Sequence, residues 1–110
     1  MGVIFNEKTG EFHLYNENIS YLMKILRNGQ MGQLYFGRKV PQKNDYGYLI
    51  ENRYRPVSAY VFDNEYSFTL EHLKQEYPAY GTTDFRMPAL EIMQSNGSRI
   101  TDFKYVSHKI

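Results

Sequence analysis

The N-terminal third of this chain alternates apolar and polar residues, a pattern typical of β-strands with one buried face. The clearest example is the segment 19–26, whose apolar face consists of Ile19, Tyr21, Met23 and Ile25. Asn28-Gly29 follows this segment, and the dipeptide accepts the positive φ angles of a tight hairpin turn. The alternation predicts four strands, at residues 3–5, 11–15, 19–26 and 33–37.

Helical spacing of apolar residues is confined to one short stretch. Leu70, Leu73 and Tyr77 share a helical face, and Thr69 is placed to cap the helix. A proline follows directly and disfavours helical geometry at the residue before it. The spacing therefore predicts one short helix between about residues 69 and 77.

Two further alternating segments, 87–94 and 100–106, are joined through Asn96-Gly97, which predicts a second hairpin. Together these elements predict an all-β fold, an antiparallel β-sandwich with one short helix. The last strand, 100–110, would leave an open apolar edge, and such edges invite aggregation. We therefore expect the chain to be the opening piece of a longer one.

Residues 38–56 are polar, rich in tyrosine and without a period, which predicts a long excursion from the sheet. Its tyrosines, and one that follows it, have two interpretations. They could stack on sugar rings or on a partner, or they could pack the excursion onto its own sheet. We favour packing, because loop tyrosines are common at interfaces of every kind. The tyrosines concerned are Tyr46, Tyr48, Tyr54 and Tyr60.

Composition narrows the class of protein. Aromatic residues make up 16% of the 110 residues, which disfavours disorder. The 13 basic and 12 acidic residues give a net charge of +1 without a basic stripe, so we expect no nucleic-acid partner. Cysteine is absent, which excludes disulfides and thiolate metal sites. No apolar run has signal-peptide or membrane-span length, so we expect a cytoplasmic protein without a membrane partner.

The residue pattern contains no catalytic constellation. His13, His72 and His108 share no metal-ligand spacing, so we interpret them as ordinary surface or strand residues. Glu71 and Glu76 fall in the predicted helix and are interpreted as part of a solvated face. No nucleophile-elbow or phosphate-cradling glycine pattern occurs. We expect no catalytic residue, metal or cofactor in these 110 residues.

Residues 76–89 read Glu-Tyr-Pro-Ala-Tyr-Gly-Thr-Thr-Asp-Phe-Arg-Met-Pro-Ala, the most specific stretch of the chain. This stretch resembles the EYPxYGxxDFRxPA signature in the N-terminal domain of the glycoside hydrolase family 36 α-galactosidases. The resemblance extends to most of the chain outside about 39–65. Its other matching positions are 12–14, 19–21, 34–37, 67–70, 96–98, 102–103, 105 and 108–110.

The resemblance implies that residues 1–110 are the N-terminal portion of a β-supersandwich domain, with the catalytic (β/α)₈ barrel absent from this chain. Family members hydrolyse terminal α-galactosides of the melibiose and raffinose type with retention and without a cofactor. Retention needs two carboxyl groups about 5 Å apart, and the family carries both in the barrel. The resemblance therefore implies that the piece alone is inactive. It also implies a homo-oligomer, a tetramer in the full-length family.

In the family, a loop of the N-terminal domain reaches the substrate pocket of another subunit. The positions here that best match its polar residues are Asn52-Arg53 and Glu65-Tyr66. Asn52 and Tyr66 depart from the acidic and basic residues of the family, whereas Arg53 and Glu65 retain them. Asparagine donates and accepts hydrogen bonds but brings no charge. These four residues are candidates for the edge of a substrate pocket.

The signature itself is interpreted as scaffolding. Asp84 is expected to bond backbone N–H groups in its turn, Phe85 to lie in the core, and Arg86 to pair with a nearby carboxylate. The structural residues of the motif are Tyr77, Pro78, Gly81, Asp84, Phe85 and Arg86. The alternative to the enzyme interpretation is a stand-alone carbohydrate-binding or protein-interaction module.

Overall fold

Four strands form one antiparallel sheet in the order β1-β2-β3-β4. The structure is a computed structural model that describes residues 1–55, 57, 59–81 and 83–110. The strands are β1 Gly2–Asn6, β2 Glu11–Tyr15, β3 Ile19–Ile25 and β4 Met31–Arg38. All four strands expected from the alternation are confirmed, as is the all-β antiparallel class. Strand β4 extends beyond the predicted segment at both ends.

The turn between β3 and β4 is the predicted hairpin. Gly29 has a φ of 86°, a region open to glycine and costly for residues with a Cβ. The Leu26 amide donates to the Gln30 carbonyl at 2.8 Å and closes the turn. The turn therefore forms where the local dipeptide predicts it.

The pairing register gives the sheet two different faces. One face carries Val3, Leu14, Tyr21 and Phe36 side by side in a row that crosses all four strands. The opposite face carries buried residues of mixed polarity, which are Glu11, His13, Ser20 and Leu22. The excursion that follows β4 packs on this second face through Tyr46.

Two clusters form the core. Leu22 and Leu34 pack with Tyr46, which the excursion contributes. The second cluster lies at the β3–β4 turn, where Leu26 meets three residues from farther along the chain, Phe68, Leu70 and Leu73. Both clusters therefore join the sheet to chain that lies outside it.

The predicted helix over 69–77 is wrong in extent. Only a 3-10 turn forms, Leu70–His72, and the Thr69 hydroxyl accepts from the Glu71 amide as the predicted cap. Beyond it, the Gln33 amide donates to the Lys74 carbonyl and the Glu76 amide donates to the Met31 carbonyl, both at 2.9 Å. Residues 74–76 stay extended because β4 supplies these hydrogen-bond partners, which a helix would have to forgo.

The predicted hairpin of strands 87–94 and 100–106 is also wrong, apart from its turn. Gly97 has a φ of 83°, and the Gln94 amide donates to the Ser98 carbonyl at 2.8 Å. Outside this turn the backbones of the two segments bond to different neighbours. In the first segment the Ala89 amide donates to the Pro78 carbonyl, and in the second the Thr101 amide donates to the Tyr80 carbonyl and the Tyr105 amide to the Gly29 carbonyl. The described residues of both segments contain no strand.

Within the described ranges, no helix has the length and apolar character needed to cross a bilayer.

Candidate functional site

The outgoing limb of the excursion is fixed by a buried histidine on β2. His13 Nδ1 lies 2.5 Å from Gln42 Oε1, and His13 Nε2 lies 2.9 Å from Ser20 Oγ. Because an amide oxygen only accepts, the ring proton is assigned to Nδ1, and the Ser20 hydroxyl donates to Nε2. Ser20 Oγ also accepts from the Val40 amide at 3.0 Å. This network ties the start of the excursion to the sheet.

A buried carboxylate fixes the next part of the same limb. Glu11 accepts from the Tyr46 amide at 3.1 and 3.2 Å and from Lys24 Nζ at 3.0 Å. The Tyr46 hydroxyl donates to the Pro41 carbonyl at 2.9 Å while its ring lies in the core. Tyr46 is therefore the anchor of the excursion, as the packing interpretation predicts for it.

In the structure the excursion extends to Tyr66, whose carbonyl accepts from the Arg55 amide, and its returning limb turns sharply at residues 62–65. Asn64 has a φ of 60°, and the Glu65 amide donates to the Phe62 carbonyl at 3.2 Å. The Arg27 guanidinium lies over the rings of Phe62 and Phe68, at 5.1 and 5.5 Å from their centroids. A cation over two aromatic faces is an attractive arrangement. Arg27 therefore fastens this turn to the β3–β4 hairpin.

Glu65, one of the four pocket-edge candidates, uses its carboxylate within the fold. It accepts from the Ser67 amide at 3.0 Å and from the Ser67 hydroxyl, and Arg27 Nη1 lies 3.4 Å away. The Ser67 hydrogen bonds, with a smaller contribution from Arg27, hold the pKa of the Glu65 carboxyl below its usual value. This carboxylate is therefore ionised and positioned by its neighbours.

The other three pocket-edge candidates lie on two adjacent limbs. The Arg55 amide donates to the Tyr66 carbonyl at 3.0 Å, which joins the limb that carries Asn52 and Arg53 to the limb that carries Tyr66. Asn52 and Arg53 are exposed, whereas Tyr66 is half-buried. The structure thus brings both matched pairs into the same part of the excursion and leaves the Asn52 and Arg53 side chains open to solvent.

Three tyrosines form a cluster in this region. Tyr54 and Tyr60 each stand nearly perpendicular to Tyr66, with ring centroids 5.6 and 5.3 Å apart. Tyr48, Tyr54 and Tyr60 are exposed, so the prediction that they pack on the sheet is wrong for these three. Their spacing in the sequence does not reveal the cluster, because Tyr66 comes from the other limb.

The signature residues hold the chain together around Asp84. The buried Asp84 carboxylate accepts from the Arg86 amide at 3.1 Å, from Arg86 Nε at 3.0 Å and from Gln75 Nε2 at 2.9 Å. Arg86 Nη2 donates to the Leu70 and Leu73 carbonyls, each at 2.7 Å. The predicted roles of Asp84 and Arg86 are confirmed. Phe85 is not a core residue as predicted: it points away from this network and is 78% exposed.

Among the other residues of the signature, Gly81 has a clear structural role, whereas neither Tyr77 nor Pro78 is buried. Gly81 has a φ of 102°, and an added Cβ would meet Ile100 Cγ2 at 2.5 Å, so the position requires glycine. Tyr77 is exposed and Pro78 half-buried, although the Pro78 carbonyl accepts from the Ala89 amide at 2.8 Å. The motif acts through Gly81, Asp84 and Arg86.

The three histidines lie in three different environments. His13 is buried, His72 is exposed, and the His108 ring lies against Phe5 and Phe12 with centroid distances of 4.3 and 4.9 Å. Among the described residues, no group of three or more histidine, aspartate or glutamate side chains is placed to hold a metal ion.

The chain is similar to known proteins along its whole length. It is 37% identical to the α-galactosidase AgaA of Geobacillus stearothermophilus over 110 residues, which is 100% of this chain and 15% of that protein. Among solved structures it matches the α-galactosidase of Lactobacillus brevis with a TM-score of 0.86 and 34% identity, covering 94% of this chain and 14% of that chain. A substituted AgaA of G. stearothermophilus in complex with raffinose matches with a TM-score of 0.78 and 36% identity, covering 90% of this chain and 14% of that chain.

The family match is specific. Residues 29–110 match the glycosyl hydrolase family 36 N-terminal domain, and this range includes the excursion, the Arg27-fastened turn at 62–65 and the whole Asp84 network. The chain spans about 15% of the curated relative it matches. This protein belongs to the glycosyl hydrolase family 36 N-terminal domain family.

Proposed function

We propose that this chain is the N-terminal, non-catalytic region of a retaining α-galactosidase that acts on terminal α-galactosides of the melibiose and raffinose type. The observation that carries the proposal is the 37% identity to an α-galactosidase over the full 110 residues. The raffinose bound to a structural relative supports the substrate class. These relatives are enzymes, which favours this function over a stand-alone binding module.

The buried carboxylates of the chain serve the fold and not the reaction. Retaining hydrolysis needs a nucleophile and an acid/base about 5 Å apart across the glycosidic bond. Glu11 is occupied by Lys24 and the Tyr46 amide, and Asp84 by Arg86 and Gln75. The catalytic pair is therefore to be sought in the (β/α)₈ barrel that the family resemblance implies, outside these 110 residues.

The isolated piece is expected to be inactive, and the complete protein active. Residues 1–110 should not hydrolyse a chromogenic α-galactoside, whereas the complete protein that carries them should release galactose with retention. Proton NMR of the first-formed anomer, with the chromogenic assay, measures both. A complete protein that binds galactosides without hydrolysing them would overturn the enzyme proposal. Turnover by the piece that is lost on mutating Glu11 or Asp84 would overturn the assignment of these residues.

We further propose that the excursion contributes the edge of a substrate pocket in a homo-oligomer. Asn52 and Arg53 are free to point outward because Tyr46, Glu65 and Arg27 hold both limbs of the excursion in place. Tyr66 lies on the adjacent limb, where its carbonyl accepts from the Arg55 amide, and its half-buried ring carries a hydroxyl group. Guanidinium and amide groups suit the hydroxyl groups of a neutral sugar. Glu65 acts in this proposal by shaping the turn.

Replacing Arg53 with alanine should raise KM for raffinose by about tenfold, since a hydrogen bond from a charged group contributes about 1.5–3 kcal/mol. The value of kcat should change little, because the contact is remote from the bond that breaks. Steady-state kinetics with raffinose and with an aryl α-galactoside give the comparison, and the aryl substrate lacks the outer sugars. Arg99→Ala, at an exposed arginine paired with Glu91, is the matched control. Equal kinetics for the two variants would rule out a substrate contact by Arg53.

A further inference from the structure

One face of the sheet is covered at one end and open at the other. Near the β1–β2 turn, the rings of Tyr105 and His108 lie over Phe12, and His108 also contacts Phe5. The adjacent row, formed by Val3, Leu14, Tyr21 and Phe36, has no such cover among the described residues. We refer to these four residues as the apolar row.

The apolar row is exposed at its two ends, on β1 and β4, while Leu14 and Tyr21 between them are half-buried. Phe36 is 65% exposed and Val3 40%, and Ile19 beside them is 41% exposed. Tyr21 and Phe36 meet edge to face, with centroids 5.7 Å apart and planes at 89°. Contiguous exposed apolar surface of this kind marks an interaction site.

The Glu76 carboxylate lies at the apolar row, and one of its two oxygens has no hydrogen-bond partner among the described residues. Glu76 Oε2 accepts from the Tyr21 hydroxyl, and the Glu76 amide is bonded to the Met31 carbonyl at 2.9 Å. Glu76 Oε1 is buried and has no hydrogen-bond donor within the described part of the chain. A carboxylate oxygen removed from water requires a donor, because desolvation without compensation is costly.

The chemistry of Tyr21 and Glu76 indicates which kind of group would bind at this position. Burial, and next the hydrogen bond to Glu76, raise the pKa of Tyr21 to about 12, so the phenol remains a neutral donor at physiological pH. The phenol therefore donates to Glu76 Oε2, and the remaining oxygen of this carboxylate is best satisfied by a cationic donor.

We propose that the apolar row and Glu76 Oε1 form one docking surface for a later segment of the same polypeptide, which brings apolar side chains to the row and an arginine or lysine to the carboxylate. The matched relatives are far longer than this chain, which spans 15% of the curated one and 14% of the Lactobacillus brevis structure, so most of such a protein lies outside these residues. The inference rests on the proposed function, because it takes the polypeptide to continue as it does in those relatives.

Glu76→Gln tests the cation through opposite effects in two contexts. Glutamine retains an acceptor for Tyr21 but removes the charge. In the complete protein, amide exchange in β3 and β4 should become about tenfold faster, the size expected for the loss of a charged hydrogen bond. In residues 1–110 alone, where Oε1 has no donor, exchange should be unchanged or slower. Glu7→Gln, at an exposed glutamate of the β1–β2 turn, is the control. An equal effect in both contexts, or none in the complete protein, would refute the cationic partner.

A second test uses only the complete protein and is independent of whether the piece folds alone. Residues 1–110 contain no cysteine, so a thiol can be placed in them at will. Phe36→Cys should react with a maleimide at least tenfold more slowly than Val57→Cys, at a residue that is 97% exposed. Peptide mapping identifies the labelled site. Equal rates would mean that the row is open, and labelling that slows only at high protein concentration would indicate a second copy as the occupant. Either result overturns the proposal, whereas the galactosidase assay tests the proposed function separately.

Discussion

Asp84→Ala should lower the free energy of unfolding of the complete protein by about 3 kcal/mol. The substitution removes the acceptor of Gln75 and of the Arg86 amide and guanidinium at a position that is 3% exposed. Each hydrogen bond to a charged group contributes about 1.5–3 kcal/mol, and the 43% exposure of the Arg86 side chain reduces the sum of these contributions. Arg86 also loses the carboxylate that aims Nη2 at the Leu70 and Leu73 carbonyls. Equilibrium urea denaturation measures the change.

Asp63→Ala is the matched control for this prediction. Asp63 is an exposed aspartate in the turn at 62–65, and surface substitutions of this kind usually change stability by less than about 0.5 kcal/mol. If both variants unfolded at the same urea concentration as the parent protein, the Asp84 network would not stabilise the fold.

The Asp84 effect should also depend on pH. Burial alone would raise the pKa of the Asp84 carboxyl, but the hydrogen bonds and charge of Arg86 outweigh it and hold the pKa below its usual value. A folded-state pKa below the unfolded value of about 3.9 contributes stability above that pH and loses it as the pH falls through the folded value. The difference between the parent protein and Asp84→Ala should therefore shrink below about pH 4. A difference that grew towards acid would contradict this assignment.

Leu22→Ala should destabilise the protein by about 2–5 kcal/mol, the range for deleting a buried leucine. Leu22 is 1% exposed and packs with Leu34 and Tyr46. A cavity at this position also loosens the anchor of the excursion, so amide exchange should increase at Tyr46 as well as in β3. Leu49→Ala, at a leucine that is 38% exposed near the same limb, should cost much less. Equal losses of unfolding free energy for the two variants would mean that the burial of Leu22 is not what stabilises this part of the fold.

The signature at residues 76–89 shows which contacts can be predicted from residues that are close together in the sequence. Asp84 and Arg86 are two residues apart, and their pairing follows from turn geometry that needs few distant partners. Phe85 lies between them and is exposed, because fixing both neighbours on one network directs the intervening side chain the other way. Alternation in an irregular segment does not define which side is the core. The exposure of Phe85 could therefore not be predicted from the sequence.

In the candidate site, too, contacts between sequence neighbours could be predicted and contacts between distant residues could not. The resemblance points to Asn52, Arg53, Glu65 and Tyr66 by position in the chain. The partners that control Glu65 are the adjacent Ser67 and the distant Arg27, and only the second required the folded structure. The Tyr54 and Tyr60 contacts with Tyr66 likewise join two limbs of the excursion. Such contacts depend on how the two limbs pair in the folded protein, and the spacing of residues along one limb does not predict this pairing.

The sequence by itself determined the four strands, the Asn28-Gly29 hairpin and the Thr69 cap. Each depends on residues that are neighbours in the chain, through the period of two along a strand, the φ angle of a glycine and the reach of one hydroxyl. The tertiary structure decided the extended path of residues 74–76, the separate partners of 87–94 and 100–106, and the meeting of Tyr21 with Glu76. In each of these, a backbone or side-chain group found a hydrogen-bond partner far away in the chain, and that partner outweighed the local preference.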